Sequence, residues 1–295
     1  MALRDIGEMV RHARRHAYAI GYFESWNLES LQGVLDAAEQ TRSPIIIGFN
    51  GEFLSRAGRR TGERLALYAG LGKAAAESSR VPCGLIFNEC SDDQWVHRAA
   101  LAGFNLVMPA DPYAPYDDYV RRVKLITERA HGCGVGVEAE IGQLPCGASG
   151  TVQGNGSLTD PEAAARFVEA TKVDLLAVSV GNVHISLDGE QGLNLERLAA
   201  IHQRVCVPLV LHGGTGIAAD SLRQAILLGV SKVNYGTHLK QCYLRAVRTA
   251  LQKDTPNPHE LLGMGGPADV MVAGRLAVRD AVLERIEQLN CGGRA

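Results

Sequence analysis

Short runs of apolar residues alternate along this 295-residue chain with longer stretches in which apolar positions recur at helical spacing. Continuous apolar runs are typical of strands buried on both faces, and the longer stretches are typical of amphipathic helices that cover a sheet. Eight strands are predicted, at residues 18–23, 44–50, 82–88, 105–110, 134–141, 174–180, 208–212 and 231–235. Helices are predicted at residues 27–40, 62–79, 92–102, 116–131, 161–171, 194–202 and 218–228.

The regular strand-then-helix order predicts a parallel sheet, and eight such units favour an α/β fold of the (β/α)8 TIM-barrel type. An open doubly wound sheet is the alternative, although no G-x-G-x-x-G motif follows the first strand. The length suits one barrel domain covering residues 1–295. A C-terminal helical extension is expected, with terminal helices at about 258–290 and an interruption at 263–267.

Composition and charge narrow the classes of function. Hydrophobic residues make up 46% of the chain and the net charge is −2, with no long run of one sign. These values argue against a nucleic-acid partner or a membrane surface, and no apolar stretch reaches the roughly 18 residues of a membrane-spanning helix. The 7 cysteines are dispersed without a C-x-x-C pair, which is typical of reduced thiols and predicts a cytoplasmic protein.

Two histidines are placed where a barrel builds its active site. His212 ends strand seven and His184 is expected to end strand six, so both imidazoles are predicted at the same mouth of the barrel. Two imidazoles suit a divalent metal such as Zn²⁺, Mn²⁺, Fe²⁺ or Co²⁺, and a third ligand is needed. The alternatives without a metal are that the histidines are core residues with hydrogen-bond partners, and that the carboxylates form structural ion pairs. Carboxylates near strand ends are the candidates for the third ligand: Glu24, Glu89, Glu138 and Glu140.

Two turns, at the ends of strands seven and eight, predict a phosphate site. The sequence His-Gly-Gly-Thr-Gly at 212–216 precedes a helix and offers free backbone N–H groups together with the Thr215 hydroxyl. The sequence Asn-Tyr-Gly-Thr at 234–237 adds an amide, backbone N–H groups and a second hydroxyl. Barrels often bind phosphate after strands seven and eight. The alternative is a pair of ordinary turns in which glycine supplies a positive φ.

Two further features lie near the same mouth. A glycine-rich loop at 142–159 follows strand five and is expected to be a lid or a disordered segment. Cys90 lies beside Glu89 and is expected to be an inert thiol, because no base pairs with it.

These residues resemble the class II, metal-dependent ketose-bisphosphate aldolases of the fructose- and tagatose-bisphosphate type. The likeness covers most of the chain and is most specific in two motifs taken together, at 212–216 and 232–237. The resemblance implies a (β/α)8 barrel, a catalytic divalent metal that is usually zinc, a site for dihydroxyacetone phosphate, and a homodimer or homotetramer. By motif match it assigns His184 and His212 to the metal. It assigns the phosphate to Gly213, Thr215, Asn234 and Thr237.

The chain departs from the family pattern where protons are transferred. The family's His-x-Asp-His on strand three reads Ile-Phe-Asn-Glu at 86–89, so Asn88 replaces the acid/base and Glu89 stands at a metal position. A shift of one residue in this strand would place Asn88 or Cys90 at the metal instead. Glu24 replaces the family's asparagine after strand one, and Asn50 replaces its serine after strand two. A carboxylate ligand adds negative charge at the metal and lowers its Lewis acidity.

The predicted function is a metal-dependent lyase that cleaves or forms a C–C bond in a phosphorylated sugar derivative, such as a ketose, through a metal-stabilised enediolate. Glu24 is expected to take over as base, with Asn88 beside it and Asn50 in contact with the substrate. Glu89, His184 and His212 are expected to bind the metal. The alternatives are an isomerase, epimerase or decarboxylase that uses the same metal, and a barrel that binds a sugar phosphate without turnover.

Overall fold

Eight parallel strands follow one another around a closed ring in the order of the sequence. The structure is a computed structural model, and it describes residues 3–145, 156–184, 190–253 and 255–295. The ring closes because β1 pairs with β8, with Phe23 opposite Tyr235. The strands are β1 (Ile20–Glu24), β2 (Ile45–Asn50), β3 (Cys83–Cys90), β4 (Leu106–Pro109), β5 (Gly136–Ile141), β6 (Leu175–Val178), β7 (Leu209–Leu211) and β8 (Val230–Tyr235).

Helices surround this ring, and the described part of the chain contains both long helices and two single-turn ones. They are α1 (Ile6–Arg15), α2 (Leu28–Thr41), α3 (Gly51–Ser55), α4 (Leu65–Ser78), α5 (Asp93–Ala102), α6 (Tyr116–His131), α7 (Pro161–Thr171), α8 (Leu195–Arg204), α9 (Ala219–Leu227), α10 (Thr237–Ala250), α11 (Pro258–Leu261) and α12 (Val270–Gln288). A 3₁₀ turn at Gly214–Gly216 follows β7.

Local sequence explains where these helices begin. Asp160 accepts a hydrogen bond from the backbone N–H of Ala163, and a proline follows it at the first helical position of α7. Asn194 caps α8 in the same way by accepting from the N–H of Arg197. Each cap satisfies a backbone donor that has no partner inside the helix.

The barrel and its C-terminal helical extension are confirmed. The open doubly wound alternative is wrong, because the pairing of β1 with β8 leaves no free edge. The extension consists of α11 and α12, which are separated near the predicted interruption, and α12 packs against α2 and α10. No helix in the described ranges combines the length and the apolarity needed to cross a bilayer.

The prediction for the end of β6 is wrong. The strand ends at Val178, so His184 lies in the loop that follows and does not end the strand. Val180 and Val183 are buried in this loop, so it is apolar enough to resemble a strand in sequence. The loop is also enclosed, because the N–H of Ser179 donates to Oγ1 of Thr159 and Nδ2 of Asn182 donates to the carbonyl of His212. The predicted lid falls partly on residues 146–155, which lie outside the described residues.

Candidate active site

One pocket opens at the carboxyl ends of the strands, and every predicted site residue lines it. Because all eight strands are parallel, the residues that end them meet at the same face of the barrel. The ten predicted residues are Glu24, Asn50, Asn88, Glu89, His184, His212, Gly213, Thr215, Asn234 and Thr237. Residues that the sequence analysis did not assign complete the lining: Tyr22, Phe53, Tyr235, Gly236, Lys240, Gln241 and Leu244.

A chain of buried polar groups fixes the ring of His212, which directly follows β7. Its Nε2 lies 3.0 Å from Oε1 of Glu138, and the other oxygen of Glu138 lies 2.8 Å from Nζ of Lys232. Lys232 also donates to Oδ1 of Asn234 at 2.6 Å. A carboxylate behind an imidazole is the arrangement that orients histidine ligands in metal sites. It leaves Nδ1 of His212 as the nitrogen that faces the other candidate ligands.

Two carboxylates lie next to this nitrogen. Nδ1 of His212 is 2.9 Å from Oε2 of Glu140 and 3.1 Å from Oε1 of Glu89. The same oxygen of Glu89 is 3.6 Å from Nε2 of His184. The structure therefore brings together the three predicted ligands and adds Glu140, which the sequence offered only as one of several carboxylates.

Three carboxylates contact the imidazole of His212. Burial by itself lowers the pKa of His212, but Glu140, Glu138 and Glu89 more than offset it and hold the pKa well above its ordinary value. Burial likewise raises the pKa of Glu89, but His184 and His212 hold that pKa well below its ordinary value. Three carboxylates around one imidazole, with Lys232 as the buried counter-charge, favour a further cation in this position.

The spacing of the donor atoms suits a divalent metal. Bonds of about 2.0–2.2 Å in a tetrahedral site place neighbouring ligand atoms about 3.3–3.6 Å apart, and the contacts at 2.9, 3.1 and 3.6 Å lie slightly below that range or at its upper end. Within the described ranges, no three histidine, cysteine, aspartate or glutamate side chains already form a finished metal site. The donor atoms contact one another instead. The donor types, their charge and their spacing therefore fit the ion.

Backbone geometry aims Glu89 at this cluster. Its φ is +50°, a left-handed conformation that a non-glycine residue adopts at a cost of order 1–3 kcal/mol. The pairing register of β3 with β4 shifts between Phe87 and Cys90, so Glu89 lies in a bulge. Asn50 holds the second carboxylate oxygen by donating from Nδ2 at 2.8 Å.

The neighbours of Glu89 take other positions. Asn88 lines the pocket with its Oδ1 buried and without a partner, whereas Cys90 is directed towards Ser55 and the carbonyl of Asp92. Burial raises the pKa of Cys90 to about 11, which agrees with an inert thiol.

A further carboxylate, that of Glu24, lies at the end of β1 and forms an ion pair. Its Oε1 accepts a hydrogen bond from Nζ of Lys240, on α10, at 2.5 Å. Gly236 provides the space for this carboxylate, because a Cβ there would lie 2.3 Å from Oε2 of Glu24. Burial raises the pKa of Glu24, and Lys240 offsets part of that rise.

The turns after β7 and β8 have the form of an anion site. Gly213 has φ +67°, and a Cβ there would lie 2.0 Å from the carbonyl oxygen of Val183, so only glycine fits. Helix α10 begins at Thr237 without a side-chain cap, which leaves its first N–H groups available to an anion. Asn234 lines the same wall, and its Nδ2 is buried without a hydrogen-bond partner.

Neither Lys232 nor Lys240 was predicted from the sequence as part of the site. Lys232 did carry a signal, because it is a cation in the middle of a strand of otherwise uncharged residues, and such a residue is rarely buried without a partner. Lys240 carried none, because it meets Glu24 only once β1 and α10 are adjacent in space.

Comparisons with known proteins agree with this geometry. The family described as fructose-bisphosphate aldolase class-II matches residues 4–294. The fructose-bisphosphate aldolase of Geobacillus stearothermophilus is 33% identical over 298 residues, which cover 100% of this chain and 99% of that protein. A probable fructose-bisphosphate aldolase of Bacillus subtilis (strain 168) is 32% identical over 299 residues, covering 100% of both proteins.

A solved structure shows the same likeness. The YdjI aldolase from Escherichia coli K12 superposes with a TM-score of 0.82 at 31% sequence identity, covering 99% of each chain. The match to the family extends over nearly the whole barrel and includes the histidine and glycine turns that build the pocket. The chain therefore belongs to the class II fructose-bisphosphate aldolase family, and it is an aldolase-type lyase.

Proposed function

We propose that this protein is a metal-dependent lyase that cleaves or forms a C–C bond in a phosphorylated ketose or a related sugar derivative. The observation that carries the proposal is that one pocket contains both a set of side chains suited to bind a metal and a site suited to bind an anion. His212 belongs to the first and Gly213, the next residue, to the second. A substrate that spans the anion site and the metal site would have its phosphate a few ångströms from the metal ion.

The substrate's phosphate would lie against the turns after β7 and β8. Backbone N–H groups at the start of α10 and the hydroxyls of Thr215 and Thr237 are suited to its oxygens. Asn234, whose Nδ2 has no partner, would donate to the substrate near that phosphate. This arrangement would hold the sugar by its phosphate end and would fix which carbon faces the side chains that bind the metal.

Glu89, His184 and His212 would hold a divalent ion, with Glu140 as an additional ligand. Class II aldolases are generally dependent on a divalent metal, and we propose zinc here, with manganese, iron or cobalt as the other ions that this donor set accepts. When bound, the ion supplies electrostatic stabilisation of the negative charge that develops on the substrate oxygen.

Proton transfer would rest on Glu24. It is a buried carboxylate in the pocket, and its raised pKa lies closer to the operating pH than that of an exposed glutamate, which suits a general base. It would take the proton of the substrate hydroxyl when the C–C bond breaks and return it in the reverse direction. Asn88 cannot exchange a proton in this way; it would position that hydroxyl by hydrogen bonding.

Assembly and location are proposed in the same terms. The described cysteines are all free, which suits a reducing compartment, and we propose a cytoplasmic homodimer or homotetramer. Light scattering coupled to size-exclusion chromatography would report the mass of the assembly, and a monomer mass of 31.6 kDa would contradict the oligomer.

Retro-aldol assays test the proposed function directly. The tag-free protein is loaded with zinc or manganese and given a panel of ketose 1-phosphates and bisphosphates, and release of dihydroxyacetone phosphate is followed through a coupled dehydrogenase. The proposal predicts release that is abolished by chelation and by His212→Ala. Conversion to an isomeric or decarboxylated sugar phosphate, detected by NMR, would favour the related reactions, and binding without turnover would favour a sugar-phosphate-binding barrel.

A further inference from the structure

We propose that Lys240 is a positioning residue that keeps the Glu24 carboxylate ionised and directed into the pocket. The inference rests on the proposed function, because it assigns a task to Lys240 only through the base role of Glu24. It adds a residue for which the strand-end motifs gave no signal, since Lys240 lies one turn inside α10.

The contact between the two side chains is short and enclosed. Nζ of Lys240 lies 2.5 Å from Oε1 of Glu24, and Glu24 is only 9% exposed. The same ammonium lies 4.4 Å from the centre of the Phe53 ring and 5.8 Å from that of Trp26. Two aromatic faces therefore hold the ammonium beside the carboxylate.

The other oxygen of the Glu24 carboxylate lies against Gly236, the N-cap residue of α10. Gly236 approaches the carboxylate so closely that any side chain there would displace it. The carboxylate is therefore held between the start of α10 and the ammonium that the same helix supplies one turn later. The N-cap and the first turn of α10 thus supply both the space and the counter-charge for Glu24.

The other charged and titratable groups that face Glu24 do not replace Lys240. Glu89, on β3, raises the pKa of Glu24, and His184, in the loop after β6, lowers it less than Lys240 does. Tyr22, on the same strand as Glu24, is buried, and its pKa lies well above its ordinary value, so it stays neutral. Lys240 is the only lysine or arginine among the described residues that line the pocket.

Removal of Lys240 should therefore change the pH at which the base works. Burial disfavours the ionised carboxyl, and an opposite charge at hydrogen-bond distance typically offsets this by 1–3 pKa units. Without it, Glu24 takes up its proton at higher pH. A base acts only when it is ionised, so the acid limb of the activity profile should move to higher pH.

The kinetic test compares pH profiles of kcat/KM for the metal-loaded wild type, Lys240→Met and Lys240→Arg. Lys240→Met is expected to move the acid limb up by about 1 unit or more, with activity recovered at alkaline pH, and Lys240→Arg to return the limb towards its original position. Lys73→Met removes a surface lysine that pairs with Glu77 and serves as the control with an unchanged profile. An equal loss of activity at every pH, with the limb unmoved, would overturn the proposal.

A second test needs no turnover. In Lys240→Met the folded-state pKa of Glu24 would lie above its unfolded value, so folding stability should fall as the pH rises through that folded pKa. Urea midpoints of Lys240→Met measured at several pH values should show this loss of stability. In the double variant that also carries Glu24→Gln, the pH dependence of the loss should disappear. A midpoint difference between wild type and Lys240→Met that does not change with pH would contradict the pairing.

The two tests also separate this inference from the proposed function. If Glu24→Gln retains wild-type turnover, the base role of Glu24 is wrong, and the positioning role of Lys240 falls with it. If Glu24→Gln is inactive but neither the profile nor the urea midpoints of Lys240→Met respond to pH, only the role of Lys240 is overturned.

Discussion

The two ends of the pocket are built from different kinds of chemical groups. The glycine end, residues 213–216 and 234–237, relies on backbone N–H groups and on close approaches such as that of Gly213 to Val183. The carboxylate end, Glu24, Glu89 and Glu140, relies on side chains held by partners from distant strands and helices. By the resemblance drawn from the sequence, the glycine end is expected to keep the motifs of the aldolase family, and the carboxylate end is expected to depart from them at Glu24, Asn88 and Glu89.

The contrast shows which parts of such a site are free to change. A backbone site depends on the path of the chain, so altering it disturbs the turn itself. A side-chain site can be exchanged residue by residue, provided that the partners are exchanged too. Glu89 illustrates the cost, because it needs a strained φ of +50° and a bulge to reach the histidines.

The largest effect is expected from Glu24→Gln at the carboxylate end. The amide cannot take a proton, so kcat should fall by about 10²–10⁴-fold, with the metal content unchanged. Steady-state kinetics and elemental analysis of the same sample measure both quantities. Glu52→Gln, which alters an exposed glutamate near the mouth, is the control, and full activity in Glu24→Gln would show that the base lies elsewhere.

A comparable test of the glycine end is Gly213→Ala. The added Cβ would meet the carbonyl of Val183, so the turn must shift, and we expect KM for a phosphorylated substrate to rise by about tenfold or more. Gly134→Ala is the matched control, because Gly134 also has a positive φ of +72° but has nothing within 4 Å of the added carbon. If the two variants show equal KM values and equal losses of stability, the close approach at Gly213 has no role in binding.

Glu89→His probes the metal preference of the carboxylate end. A third imidazole in place of a carboxylate removes negative charge and gives a donor set that favours zinc over manganese. Competition dialysis should show the ratio of zinc to manganese affinity rising by roughly tenfold, a scale typical of changes around a metal ligand. An unchanged ratio would mean that Glu89 does not touch the ion.

The smallest effect is expected from Thr237→Ala. Loss of one hydroxyl hydrogen bond, with the backbone N–H groups of the site retained, costs about 1 kcal/mol, which corresponds to roughly a fivefold rise in KM with kcat little changed. Thr249→Ala, on the exposed face of α10, should leave KM unaffected. A fall in kcat alone would place Thr237 at the reacting atoms and would contradict its assignment to the phosphate-binding end of the pocket.

Much of the fold was readable because the strands are continuous apolar runs separated by amphipathic helices. The error at His184 has a physical cause: a buried loop after β6 has the same apolar composition as a strand, and periodicity cannot separate the two. The positions of the glycine turns followed from their chain location after β7 and β8, which is why that end of the pocket could be predicted most fully.

The carboxylate end could be predicted only as a set of candidates. That Glu89 and Glu140 both meet His212 depends on the bulge in β3 and on the position of β5, two strands away from β7 in the ring. The pairing of Glu24 with Lys240 joins residues that are 216 positions apart, and no local pattern announces it. These details arise from closure of the ring, which sequence spacing does not specify.

The measurement that tests the central claim most directly is the metal content per chain, determined by inductively coupled plasma mass spectrometry on tag-free protein purified without chelator. The account predicts close to one divalent ion per chain in the wild type and a large loss of it in His212→Ala. Absence of retained metal, even after incubation with zinc or manganese, would contradict a metal site built from Glu89, His184 and His212.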